Sequence, residues 1–167
     1  MNMKIGTVHF NIILLLAGLL TGCSSLSGDK KELSTIELHL ESSPDDPAFS
    51  EPVPIYRAHP AYVNVSRLAF LDERDLEQAA VVDWMGGFAI QLVFNEHGQL
   101  VLENTTRSNP SHRIAVLAGF GESRWLAAPL VNRPITDGQF TFTPDATREE
   151  AERIVRGLTN TIAQLKK

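Results

Sequence analysis

The sequence predicts an α+β domain, a mainly antiparallel sheet with helices packed on one face. Three observations carry that expectation. The segment "STIELHLES" (residues 34–42) alternates apolar and polar residues, the period of a half-buried strand. Gly86-Gly87 and Asp137-Gly138 mark turns that lead into further apolar-alternating segments. The C-terminal stretch repeats apolar residues at helical spacing opposite a charged face. A chain of 167 residues suits one domain with a real core and is short for two.

Composition removes several function classes. Ordinary charged and apolar fractions exclude a collagen-like or wholly disordered chain. The formal net charge is −5 and no Lys/Arg cluster stands out, so nucleic acid is not an expected partner. A single Cys excludes a disulfide within the chain and argues against a thiolate zinc site. No metal and no other cofactor is expected.

Residues 1–22 read as a lipoprotein signal peptide. Lys4 supplies a positive start, and an apolar run from Val8 to Leu20 follows, interrupted by His9 and Asn11. A membrane-spanning helix needs about 20 apolar residues, whereas a signal-peptide apolar region needs roughly 7–15, so length favours an export signal. Leu20-Thr21-Gly22-Cys23 resembles a bacterial lipobox. The resemblance implies that the Cys23 thiol accepts a diacylglyceryl group, that cleavage falls between Gly22 and Cys23, and that the new amino terminus is acylated. Each buried methylene then contributes about 0.8 kcal/mol, and several chains hold stably where one would not. The competing reading is an ordinary signal peptide with a chance cysteine. Ser24 and Ser25, with no Asp directly after Cys23, imply outer-membrane rather than inner-membrane sorting by the enterobacterial-type rule. The expected location is the bacterial cell envelope, lipid-anchored and facing the periplasm. Residues 23–33 form the expected tether, small and polar in "SSLSGDKKEL".

In the strand at residues 34–42, Ile36, Leu38 and Leu40 face one way, and Glu37, His39 and Glu41 the other, which places His39 in solvent. The next segment, residues 43–62, holds Pro44, Pro47, Pro52, Pro54 and Pro60 and so reads as irregular or edge structure. Its Asp45-Asp46 pair reads as an Asp-rich turn rather than a paired-carboxylate site. Residues 34–70 together make an amino-terminal strand and a proline-rich segment.

The domain proper is expected over residues 71–167. Asp72 reads as the N-cap of a short helix, with Leu71 packing on Leu76. Ala79–Trp84 and Phe88–Phe94 read as a hairpin around Met85-Gly86-Gly87, with Phe88, Ile90, Leu92 and Phe94 on one face and Gln91 on the other. That turn is a poor phosphate loop, since no Lys-Ser/Thr and no helix follows it. Glu96-His97-Gly98 reads as a turn, and Gln99–Thr106 as a helix carrying Leu100 and Leu102. Arg113–Ala118 reads as a buried strand, "GFGES" as a loop, and "RWLAAPLVN" as a strand broken by Pro129. Asp137-Gly138 then turns into a strand with Phe140 and Phe142 on one face. In the last helix Thr147 and Glu150 form a capping box. Ala151, Ile154, Val155, Leu158, Ile162 and Leu165 make its apolar stripe, which reads as core packing.

No motif for chemistry emerges. Ser123 lies in "GFGESRW", whose glycines miss the offsets of a nucleophile elbow. No His-Glu-x-x-His and no EF-hand loop occurs. An enzyme would have to gather two or more of His59, His97, His112, Asp83 and Glu96 in one pocket.

From Leu71 onward the order of motifs resembles the periplasmic head subdomain of SecD, of the SecDF protein-export family. The resembling segments are "FAIQLVFNEHGQLVLENTT", "HRIAVLAG", "LAAPLVNRPITDGQFTFT" and "TPDATREEAERIVRGL". The resemblance, from Leu71 to the carboxyl terminus, covers about three fifths of the chain. The family's acidic turn is replaced here by a longer loop from Gly119 to Arg124, and SecD's transmembrane helices have no counterpart. The resemblance therefore implies a head-like module contacting other proteins outside the inner membrane, without proton-driven export.

The function expected from sequence is a non-enzymatic, lipid-anchored envelope protein, held at the membrane through Cys23 and binding a protein partner of unknown identity. The candidate partner surface is the loop around Phe120, Arg124 and Trp125 together with the proline-rich segment, since aromatics near a loop suit recognition. The opposing possibility is that Phe120 and Trp125 pack on the core. Alternative functions are an accessory factor of protein export across the inner membrane and an enzyme with an unrecognised site.

Overall fold

Alternation in residues 34–42 places the first strand at the middle of the fold. A computed structural model describes residues 31–167, so Gly22, Cys23 and most of the expected tether lie outside the described residues. The elements are β1 (Thr35–Leu40), β2 (Ser50–Ile55), β3 (Ala61–Ser66), β4 (Leu71–Asp72), a 3-10 turn at Glu73–Asp75, β5 (Leu76–Trp84) and β6 (Gly87–Phe94). They continue with α1 (Glu96–Ser108), β7 (His112–Gly119), β8 (Ser123–Ala127), β9 (Leu130–Val131), β10 (Gln139–Phe142) and α2 (Arg148–Leu165). One sheet has the order β4-β1-β7-β8, with β9 also on β7; a second has the order β10-β6-β5; β2 and β3 form a separate hairpin. Every pairing is antiparallel, and the fold is α+β as the sequence predicts. Residues 34–70 and 71–167 belong to one unit, Lys31–Lys167.

A single main core joins the two larger sheets and both helices. Ile36, Leu38, Ile114, Val116 and Ala118 meet Ile90, Leu92, Phe94, Phe140 and Phe142 there, with Leu102 of α1 and Ile154 and Leu158 of α2. Helix α2 matches its expected cap, because Thr147 accepts from the Glu150 N–H and Glu150 accepts from the Thr147 N–H. Its stripe outruns the sheet, however, and Leu165 is left exposed.

The proline-rich segment is ordered as a hairpin on the other face of β1 and β7. Val53, Ile55 and Val65 pack there on Ala115 and Ala128, while Pro52 and Pro54 alternate outward. Asn64, opposite Pro52, turns its carbonyl away to the Ser42 N–H at 2.9 Å, so the missing proline N–H falls where no pairing bond is needed. This hairpin corrects the placing of His39 in solvent. His39 does point away from Ile36 and Leu38, but β3 and Trp125 cover it to 4% exposure. Its Nδ1 donates to the Ser66 carbonyl at 2.8 Å, and its ring meets Trp125 edge-on at 5.0 Å between centroids.

Three local expectations also change. Asp72 does cap a helical turn, with a capping box to Asp75, but the turn stops after Glu73–Asp75 and Leu76 is already extended. One turn bears the full nucleation cost, and pairing of β5 with β6 outcompetes further helix. Glu96-His97-Gly98 is the first turn of α1 rather than a separate turn, because Asn95 is the N-cap and its Oδ1 accepts from the Gly98 N–H at 2.9 Å. In the β5–β6 hairpin the positive φ angles fall on Met85 and Gly86, not on a Gly-Gly pair. The expected tether is docked at its end: Asn160 of α2 donates to the Glu32 carbonyl at 2.9 Å and Thr161 to the Ser34 carbonyl at 2.7 Å.

Candidate functional site

The β2–β3 turn and strand β8 come together at the surface and enclose a groove of about 340 Å³. Pro54, Tyr56, Arg57 and Pro60 form one wall, and Ser123, Arg124, Trp125 and Asp145 the other. The structure thus brings together the two segments expected to form a partner surface. It changes which side chains are offered. Phe120 is 2% exposed and belongs to the main core, whereas Trp125 is half-buried and packs on the hairpin side. A bulge in β8 explains the split: Val116 pairs with Ala127 but Leu117 with Trp125, so Leu126 and Ala127 both enter the main core. Tyr56, at a positive φ of 69° and 51% exposed, is the aromatic that the groove presents outward.

Charged side chains hold the groove's shape. The Arg57 N–H donates to Asp145 at 2.7 Å, and its guanidinium reaches Glu150 at 3.3 Å. Arg124 bonds Glu150 at 3.2 Å and Glu122 at 2.9 Å, with its guanidinium 5.1 Å above the Phe120 ring. Glu150 therefore joins the helix cap, β8 and the β2–β3 turn. Tyr56, Arg57 and Asp145 were not singled out from sequence, and Glu150 only as a cap.

The Thr147 backbone N–H, followed by the charges of Arg124 and Arg57, holds the Glu150 carboxyl below the usual carboxylate range. A folded-state value below the unfolded one contributes stability above the unfolded value of about 4.3, and that contribution disappears as pH falls through the folded value. Glu150→Gln should lower the melting temperature at pH 7 and flatten its decline on acidification. Parallel acid limbs for the variant and the parent protein would contradict that role.

The side chains that would serve an enzyme stay apart. His97 pairs with Asp75 at 2.8 Å and His112 lies beyond the far end of α1 from it, with Nδ1 3.2 Å from the Pro110 carbonyl. Asp83 pairs with Arg148 at 2.8 Å, His59 is exposed, and the cavity that Glu96 lines includes none of the other four. Asp45 and Asp46 lie in a turn where Ser43 bonds Asp45 and Asp46 accepts from Phe49. Ser123, expected in a loop, instead opens strand β8. Among the described residues no group of three His, Cys, Asp or Glu is placed to hold a metal ion, and no helix is long and apolar enough to cross a membrane.

The sequence profile of the SecDF P1 head subdomain matches residues 50–160, which takes in the β2–β3 hairpin. No curated protein matches the sequence. A solved structure described as SecDF in a super-membrane-facing form aligns with a TM-score of 0.57 and 19% identity, over 77% of this chain and 19% of that one. A second, described as a membrane component SecDF that enhances protein export, aligns with a TM-score of 0.56 and 17% identity, over 95% of this chain and 70% of that one. At these identities the likeness is one of fold. The chain spans about a fifth of the first SecDF chain.

Proposed function

Because the chain belongs to the SecDF P1 head subdomain family, we propose that it is a lipid-anchored, periplasm-facing envelope protein whose head-like domain binds another protein. The observation that carries the reading is the groove between the β2–β3 turn and β8, with Tyr56 exposed at its rim and Trp125 in its wall. An amphipathic aromatic on a salt-bridged frame offers contact area at low entropic cost. The reading is non-catalytic, in keeping with the separation of His59, His97, His112, Asp83 and Glu96. Lipid on Cys23 supplies the membrane attachment, with the outer membrane favoured over the inner.

Photo-crosslinking in cells tests it. A benzophenone side chain at position 56 should give a discrete protein adduct, whereas the same group at position 85, in the β5–β6 turn and outside the groove lining, should not. Equal or absent labelling at the two positions would overturn the reading. Cys23→Ser should abolish fatty-acid labelling and release the chain from membranes; an unchanged membrane fraction would remove the lipid anchor from the proposal.

A second reading is favoured by the likeness to a SecDF described as enhancing protein export. On that reading the groove's partner is the export machinery or an emerging substrate. Adducts from position 56 that contain translocon subunits would select it, and a normal secreted proteome after deletion would count against it.

A further inference from the structure

The outer face of the β10-β6-β5 sheet has an unusual chemistry. Ile90, Leu92, Phe94, Phe140 and Phe142 turn into the main core. The alternation therefore sends Gln91, Gln139, Thr141 and Trp84 to the opposite face. The same registers send Ala80, Val82, Ala89 and Val93 outward, and Glu77 at the β5 bulge is the one charged residue on that side of the three strands. The loop from Asn132 to Asp137 rises beside this face and encloses a cleft of about 590 Å³, lined by Trp84, Gln91, Arg133, Asp137, Gln139 and Thr141 among others.

Three features make the cleft look built for a ligand. Trp84 is 48% exposed, although indoles are costly to leave in water. Arg133 makes no hydrogen bond or ion pair among the described residues, and the Gln91 Nε2 donates to the Gln139 Oε1 at 3.0 Å, which fixes both amides and leaves their other polar atoms free to pair. The loop wall is fixed from behind: Gln99 of α1 donates to the Thr136 carbonyl at 2.8 Å, and the Ile135 N–H donates to Thr106 at 3.0 Å. A preset wall needs little ordering when a ligand enters.

A flat indole, two planar amides, a hydroxyl and a free guanidinium on an uncharged floor match one ligand chemistry. A pyranose ring offers an apolar C–H face to stack on an aromatic plane and a rim of hydroxyls that pair with amide and guanidinium groups. A protein partner would want an apolar centre, and Ala80, Val82, Ala89 and Val93 of this face do not line the cleft; a phosphate would want more cationic groups than Arg133 alone. We propose that the outer face of the β10-β6-β5 sheet is a saccharide-binding site, with a pyranose stacked on Trp84 and its hydroxyls held by Gln91, Gln139 and Arg133. This site is separate from the groove at Tyr56 and does not depend on its reading.

Pyranose rings reach an envelope protein from the glycan strands of the cell wall or from lipopolysaccharide. The test uses the full chain in lauryldimethylamine oxide, a detergent without a sugar headgroup. It is titrated calorimetrically with the β-1,4-linked tetramer of N-acetylglucosamine and with lipopolysaccharide micelles, and is sedimented with purified cell-wall sacculi. Saturable binding to at least one of these is expected, and the pattern names the source. Trp84→Ala should weaken that binding roughly tenfold or more without moving the melting temperature. Arg133→Ala, on the loop, provides a second variant should the strand-end change disturb folding. Failure of all three materials to bind, or binding unaltered in both variants, would overturn the proposal.

Discussion

Phe120→Ala is expected to lower the free energy of unfolding by about 3–5 kcal/mol, the cost of emptying a large aromatic site in a packed core. Phe120 is 2% exposed and belongs to the main core, which also holds Ile36, Ala118, Ala151 and Ile154. The loop directs it inward, since its N–H donates to the Glu122 carbonyl at 2.8 Å across a Gly121 with a φ of +97°. Two guanidiniums lie over its ring, Arg124 at 5.1 Å and Arg153 at 6.0 Å from the centroid. Truncation therefore removes apolar burial and also leaves Arg124, itself largely buried, without its aromatic face. Urea unfolding checks the value, with Tyr62→Ala as the control. Tyr62 is 72% exposed on β3, and its loss should change stability by no more than about 0.5 kcal/mol. A loss at Phe120 below about 1 kcal/mol would show that the ring is not a core member.

That expectation separates stability from recognition at this end of the domain. Capture experiments on Phe120 variants would report unfolding, because the ring has no surface to offer. On the proposed reading, Tyr56 and the Trp125 wall offer the contact surface instead, and Arg57, Asp145 and Glu150 hold them in place. Recognition and core packing thus meet at Arg124, which faces the groove on one side and Phe120 on the other.

How far these features can be read in advance depends on how local their causes are. Helix α2 is legible because cap and stripe lie within its own residues: Thr147 reaches Glu150, and Ile154 and Leu158 recur at helical spacing. His39 shows where locality ends. Alternation gives its side of β1 correctly, but its burial depends on Ser66 and Trp125, which the chain supplies much later. Gly98 misleads in another way, since a glycine after Glu96-His97 resembles a turn. The structure uses it for close approach, because a Cβ there would sit 3.0 Å from Asp75 and Phe94 atoms. The groove was legible as two segments but not as a frame. Arg57 meets Asp145 and Glu150 across 88 and 93 residues of chain, a distance that no motif spacing encodes. The saccharide face has a similar history: strand alternation sends Gln91 outward, but the wall formed by Arg133 and Asp137 follows from tertiary pinning of the loop.

Gly157→Ala should be destabilising by about 1–3 kcal/mol, although helix propensity alone favours alanine over glycine by about 0.8–1 kcal/mol. Gly157 is buried midway along α2 where the helix crosses the residues leading into β1. A Cβ there would lie 2.1 Å from Ser34 Oγ, 2.8 Å from Ser34 Cβ and 2.9 Å from the Ser34 backbone nitrogen. The hydroxyl could be removed, but the backbone nitrogen cannot rotate away, so either the helix or the strand entry must shift. Ser34→Ala separates the terms. Ser34 Oγ is buried without a hydrogen-bond partner among the described residues, so the single change should be close to neutral or slightly stabilising. Combined with Gly157→Ala it should restore only part of the loss, because the contacts at 2.8 and 2.9 Å remain. A stabilising Gly157→Ala would refute the close approach. The consequence extends to attachment, because Asn160 and Thr161 hold the carbonyls of Glu32 and Ser34 one turn further along α2. A shift at Gly157 should loosen that docking and raise the rate of tryptic cleavage after Lys31. The same glycine that lets helix and strand touch would then also fix the point at which residues 31–34 meet α2.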